Sequence, residues 1–144
     1  MGKNDSGSTE GSLFETTRKE VLTALESGER KDFIIMVVPS HDKENKPLPD
    51  QNMWAEAAAE VLADIYGGAT AFKALSGIFK TDEGKILRDE PILLESYADR
   101  EDVLEEENLG SLLRFAIRMG REARQDTVAV VINDFMHFIS TKSL

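Results

Sequence analysis

Ser40-His41 and Gln125-Asp126 are the two places where this sequence sets a proton-exchanging group beside a hydroxyl or an amide. An imidazole changes charge near neutral pH, and a carboxylate next to it orients the ring and favours its charged form. His41 with Asp126 is therefore a candidate general base, and Ser40, Thr70, Tyr97 and Gln125 supply hydroxyl and amide groups that can hold a small polar ligand around it. The same residues have a plainer reading, in which Thr70 and Gln125 cap exposed backbone and His41 stands in solvent. That reading is preferred, so no residue is assigned as catalytic.

Other chemistry-bearing residues are less well placed. Glu90 and Glu95 can form an acid/base or ion-binding pair, but five positions apart on a strand they point to opposite faces unless Pro91 introduces a bulge. The two histidines, His41 and His137, are expected at opposite ends of adjacent strands, and His137 with Asp134 lacks a third donor. A metal site is therefore not expected, and no cofactor is implied. Arg114, Arg118 and Arg121 follow i, i+4, i+7 spacing, a basic stripe able to take an anion or to serve as a solvated helix face. Gly67-Gly68 closes a helix and opens a strand, which is the reverse of a phosphate-binding loop.

The elements that must position these groups are legible from patterning. Residues 1–11 lack large apolar side chains after Met1 and read as a disordered tail; Met1, Gly2 and Ser6 match the myristoylation pattern, as a Gly/Ser-rich leader easily does. Ser12 to Glu15 forms a capping box that starts a helix over 12–28, with Phe14, Val21, Leu22 and Leu25 on one face. Phe33 to Val38 is a continuous apolar run and predicts a central strand. After a polar loop, Asp50 or Asn52 caps a helix with Trp54, Ala58, Val61, Leu62 and Ile65 in one stripe, closed by Gly67 in the left-handed region.

Thr70 to Lys80 then predicts a strand with a bulge at Ser76-Gly77, a turn at Asp82 to Lys85, and a return strand from Ile86 to Tyr97 disturbed by Pro91. An acidic connector, Asp99 to Asn108, leads into a second long helix from about Glu105, with Leu109, Leu112, Leu113, Ala116 and Gly120 inward. Thr127 to Asn133 is a further apolar strand, and 135–144 is an arm that extends it or packs as a short helix. One α+β domain over 12–144 follows, with its core at 32–134. The expected architecture is a ferredoxin-like βαββαβ two-layer sandwich, with an antiparallel sheet ordered 4-1-3-2 and an extra N-terminal helix.

Both helices of such a sandwich lie on one side, yet the first and last strands are apolar on both faces. The N-terminal helix, the C-terminal arm or a second copy must cover the other side. Phe72, Phe79, Phe135 and Phe138 are the candidate contact residues.

Trp54, Gly67-Gly68-Ala69-Thr70, Gly77-Ile78-Phe79, Gly84, Glu90 and Gln125-Asp126-Thr127-Val128, spread over about Phe33 to Ile132, resemble the pattern of a family of small bacterial domains with no established activity. The resemblance implies a ferredoxin-like fold. The N-terminal helix and the acidic connector depart from that pattern.

Bulk composition narrows the function classes. The 144 residues carry a net charge of −10, which disfavours a partner held through its phosphate backbone, so no nucleic acid is expected. Cysteine is absent, removing disulfides, thiolate nucleophiles and Cys-based zinc sites. No apolar run is long enough for a membrane span and the opening MGKNDSGSTEGS lacks the apolar segment of a secretory signal, so the expectation is a cytoplasmic chain without a membrane partner. The leading expectation is a non-enzymatic domain, a homodimer or a binder of a protein partner through its apolar sheet face. The alternative is a small-molecule binder or small enzyme using the polar cleft at His41 and Asp126.

Overall fold

In this computed structural model the chain is described over residues 17–26, 28 and 31–142, and it divides into two units, Met1–Arg30 and Lys31–Leu144. The first unit contains helix α1 (17–26), on which Val21, Leu22 and Leu25 are exposed. The expected tail over 1–11 and the Ser12–Glu15 capping box lie outside the described residues.

The second unit begins with β1 (Asp32–Val38), whose seven residues alternate between buried and half-buried. It continues with α2 (Gln51–Tyr66), β2 (Thr70–Lys73), β3 (Gly77–Lys80), β4 (Ile86–Asp89), β5 (Ile92–Ala98), the short α3 (Arg100–Leu104), α4 (Glu106–Glu122), β6 (Thr127–Ile132) and β7 (Phe135–Ser140). The α2 stripe buries Trp54, Ala58 and Leu62, and Gly67 ends the helix at φ 94°, a conformation that costs glycine nothing. Helix α4 buries Leu112, Phe115, Ala116, Met119 and Gly120, while Leu113, expected inward, is exposed. These two helices cover Ile34, Met36 and Val38 of β1, Ile92 and Leu94 of β5, and Val128 and Val130 of β6, forming one continuous core.

The architecture is an α+β sandwich, but the expected four-stranded ferredoxin-like βαββαβ sandwich ordered 4-1-3-2 is not what forms. The main sheet has five strands ordered β2-β5-β1-β6-β7, and β3 pairs with β4 in a separate two-stranded sheet. Each of the two long hairpin strands expected over Thr70–Lys80 and Ile86–Tyr97 divides in two. Pro91 has no N–H to give to a ladder, and its carbonyl accepts from Ala74 where the strands part. A Cβ at Gly77 would approach the Asp89 carbonyl oxygen to 3.3 Å, so a bulkier residue would push the hairpin away from that junction. The hairpin tip is closed by Gly84 at φ 85°, with Thr81 N–H donating to the Lys85 carbonyl.

The C-terminal arm turns at Asn133-Asp134 and becomes β7, antiparallel to β6 from Ile132–Phe135 to Thr127–Ser140. Asn133 takes φ 54°, which asparagine tolerates better than most residues, and its side-chain oxygen accepts from Phe33 N–H. The arm therefore widens the sheet instead of covering it. Part of the acidic connector is likewise helical, as α3, with Val103 fully buried. No described helix is long and apolar enough to cross a membrane.

Candidate functional site

Antiparallel pairing of β1 with β6 sets the end of β1 beside the start of β6, and pairing of β1 with β5 sets it beside the start of β5. Ser40 and His41 leave β1 at this end and meet Asp89-Glu90, the residues between β4 and β5. Ser40 N–H donates to Asp89 Oδ1 at 2.9 Å, and Glu90 N–H lies 2.9 Å from both Asp89 Oδ1 and Ser40 Oγ. Ser40 Oγ also bonds Asp89 Oδ1, lies 2.7 Å from His41 Nδ1, and leaves the ring nitrogen 3.7 Å from the carboxylate.

Proton counting orders this cluster. A carboxylate only accepts and a hydroxyl has one proton, so Ser40 gives its proton to Asp89 and accepts from Glu90 N–H and from His41 Nδ1–H. The Ser40 hydroxyl is then saturated, which makes it a positioning group and a poor nucleophile. Nε2 is left as the His41 atom free to exchange a proton with a ligand. Backbone bonds hold the residue in place: Gln125 Nε2 donates to the His41 carbonyl at 2.8 Å, and Leu48 N–H to the Ser40 carbonyl at 2.8 Å. Gln51, first residue of α2, donates to the carbonyls of Glu90 at 2.9 Å and Val38 at 3.4 Å, tying the helix to both strands.

Ser40, His41, Leu48, Gln51, Asp89 and Glu90 line an open cleft of about 530 Å³, completed by Pro47, Ser76 and Arg88. Arg88 and Glu90 give its rim both signs of charge. The β1–α2 loop forming one wall is braced by Asp42, whose buried carboxylate accepts from Glu44 and Lys46 N–H groups and faces Arg124. Lys46 N–H is the largest influence holding the Asp42 carboxyl below its ordinary value, with Glu44 N–H and Arg124 acting in the same direction against the cost of burial.

The sequence-derived cleft is thus reassembled. Ser40, His41 and Gln125 come together, but the carboxylate at the His41 ring is Asp89. Asp126 is exposed and lies 3.8 Å from Lys43 Nζ. Tyr97 pairs with Phe33 at the other end of β1, and Thr70 pairs with Glu95, so neither reaches the cleft. Tyr97 instead donates to Glu95, and that bond and charge raise the phenol above its usual 10.0. Asp89 and Gln51 carried no pattern of their own; the only local signal was an acidic pair ahead of Pro91.

The remaining candidates lie away from this cleft. Arg114 donates to Ser111 Oγ, Arg118 stacks 5.4 Å from the Phe115 ring centre, and Arg121 donates to the Thr141 carbonyl at 2.7 Å, and the three border one open groove along α4. Phe72 and Phe138 stand exposed on the main sheet, Phe79 on the β3–β4 hairpin, and Phe135 on the opposite side of β7 from Phe138. Among the described residues no group of three or more His, Asp or Glu side chains is arranged to hold a metal ion.

The fold and site together define an α+β sandwich with a polar, imidazole-bearing cleft at one end of its main sheet. No protein-family model matches the chain, and no curated protein is significantly similar to it. Among solved structures it is similar to a phage SAM lyase in complex with S-methyl-5'-thioadenosine, with TM-score 0.55 and 11% identity over 81% of this chain and 95% of that one. A phage SAM lyase in the apo state gives TM-score 0.54 and 14% identity over 81% and 98%. At such identities the likeness is one of fold.

Proposed function

We propose that the chain binds a small polar molecule in the cleft between the β1–α2 loop and the base of the β3–β4 hairpin, with His41 as its proton-exchanging group. The observation that carries this reading is the bonded series His41–Ser40–Asp89 on the cleft wall, which fixes the ring tautomer and leaves Nε2 for the ligand. Asp89 acts through Ser40 as an orienting carboxylate for the ring, without the acid itself transferring a proton. A chain built this way is a ligand-binding domain or a small acid–base enzyme; the likeness to a phage SAM lyase supports starting with sulfur-containing nucleosides.

The test is thermal unfolding of the full chain with S-adenosylmethionine or S-methyl-5'-thioadenosine. The expected result is a ligand-dependent rise in Tm that disappears in His41→Ala, since a ligand selective for the folded state stabilises it by mass action. If turnover follows binding, loss of the imidazole should lower the rate about 10²- to 10⁴-fold. A rise in Tm that survives His41→Ala would remove the assignment.

A further inference from the structure

Strand parity and register assign the sheet face opposite α2 and α4. Thr70, Glu95, Ile35, Val131 and Met136 form one row across all five strands of the main sheet. Phe72, Leu93 and Val37 are aligned beside it, as are Ala129 and Phe138, and Phe33 is aligned with Tyr97. Phe72, Tyr97, Met136 and Phe138 are 50%, 60%, 55% and 67% exposed, although they belong to the same sheet as the fully buried Ile34, Met36 and Leu94.

We propose that this face is the surface on which a second copy of the chain docks. Area is the first argument. An aromatic side chain carries about 150 to 250 Å², so the three half-exposed rings alone leave on the order of 300 Å² to water. Adding Phe33, Ile35, Val37, Leu93, Val131 and Met136 takes the patch past the few hundred Å² a monomer ordinarily exposes and towards the ~800 Å² per partner of a standard interface.

Charge is the second. The chain carries −10, so two copies repel wherever their ordinary surfaces meet. Glu95 is the one ionisable acid in these rows, and the Tyr97 hydroxyl already bonds it. A face nearly free of charge is where two acidic copies can meet, whereas a basic partner would be drawn to the acidic surface elsewhere. The β6–β7 hairpin gives this face its width, because the arm lies beside β6 and presents Met136 and Phe138 alongside Val131 and Ala129.

Mass in solution, measured by light scattering on the full chain over a concentration series, tests the proposal. The wild type should give a multiple of the 16.0 kDa chain mass, and Phe138→Glu should reduce it to 16.0 kDa. Phe135→Glu, an exposed site on the other side of the same strand, should leave the multiple intact. Circular dichroism confirms that both variants are folded. A monomeric wild type overturns the proposal, including the case in which another molecule covers the face. A multiple that persists in folded Phe138→Glu, or one lost equally in Phe135→Glu, also overturns it, the latter because it points to the open edge of β7 instead of the face.

Discussion

Ser40 bonds Asp89 across forty-nine positions of sequence, with its hydroxyl and its backbone N–H both directed at one carboxylate oxygen. This pair joins the end of β1 to the junction of β4 and β5, and it holds the His41 ring at the wall of the cleft. Scaffold and chemistry are separable there, because the carboxylate satisfies backbone groups while the ring makes one bond to Ser40.

Asp89→Ala and His41→Ala should therefore fail differently. Without the carboxylate, the Ser40 N–H and hydroxyl lose their acceptor, at a cost of about 1–3 kcal/mol, read as a lower urea midpoint with unchanged slope. His41→Ala should change stability by about 0.5 kcal/mol or less, as expected of a partly exposed side chain, while removing the ligand response. Equal loss of stability in the two variants would mean that the ring, too, is structural.

Asp42 should make stability depend on acid. Its carboxyl titrates below the ordinary 3.8 in the folded state, so it contributes stability that is fully present above that value and is lost as pH falls through the folded-state pKa. Asp42→Asn cannot titrate and lacks this contribution. The gap in urea midpoint between wild type and Asp42→Asn should be constant above the ordinary carboxylate value and narrow below it. A gap that stays constant through the acid range would assign the role of Asp42 to shape alone.

Gly120→Ala should destabilise the sandwich at the contact of α4 with the sheet. A Cβ there would lie 2.4 Å from Thr141 Cγ2 and 2.7 Å from Val128 Cγ2, and Thr141 is held by bonds to the Gln125 and Asp126 carbonyls. Overpacking of this kind costs about 1–3 kcal/mol, measurable by urea unfolding. Thr141→Ser removes the nearer methyl and keeps the hydroxyl, so the double variant should recover part of the loss; strict additivity would show that the two sites are not in contact.

Local structure was written in the chain wherever a single residue or a short period suffices. Gly67 and Gly84 take the positive φ that only glycine adopts freely, and the Trp54–Ala58–Leu62 spacing buries one side of α2. The apolar runs of β1 and β6 became central strands for the same local reason. Ser40, His41 and Gln125 come together because polar groups at the ends of such strands gather where the strands end.

Only the tertiary structure chose the partners. The two long strands divide at Pro91, which has no N–H to give, and the junction there brings Asp89 to Ser40 and to the His41 ring, the place expected of Asp126. The C-terminal arm turned at Asn133 and added a strand, giving a five-stranded sheet whose register no periodicity could specify. Spacing along a chain encodes which face of an element is apolar. Which element it meets depends on the edges and volumes left after the others have packed, and that is a property of the whole molecule.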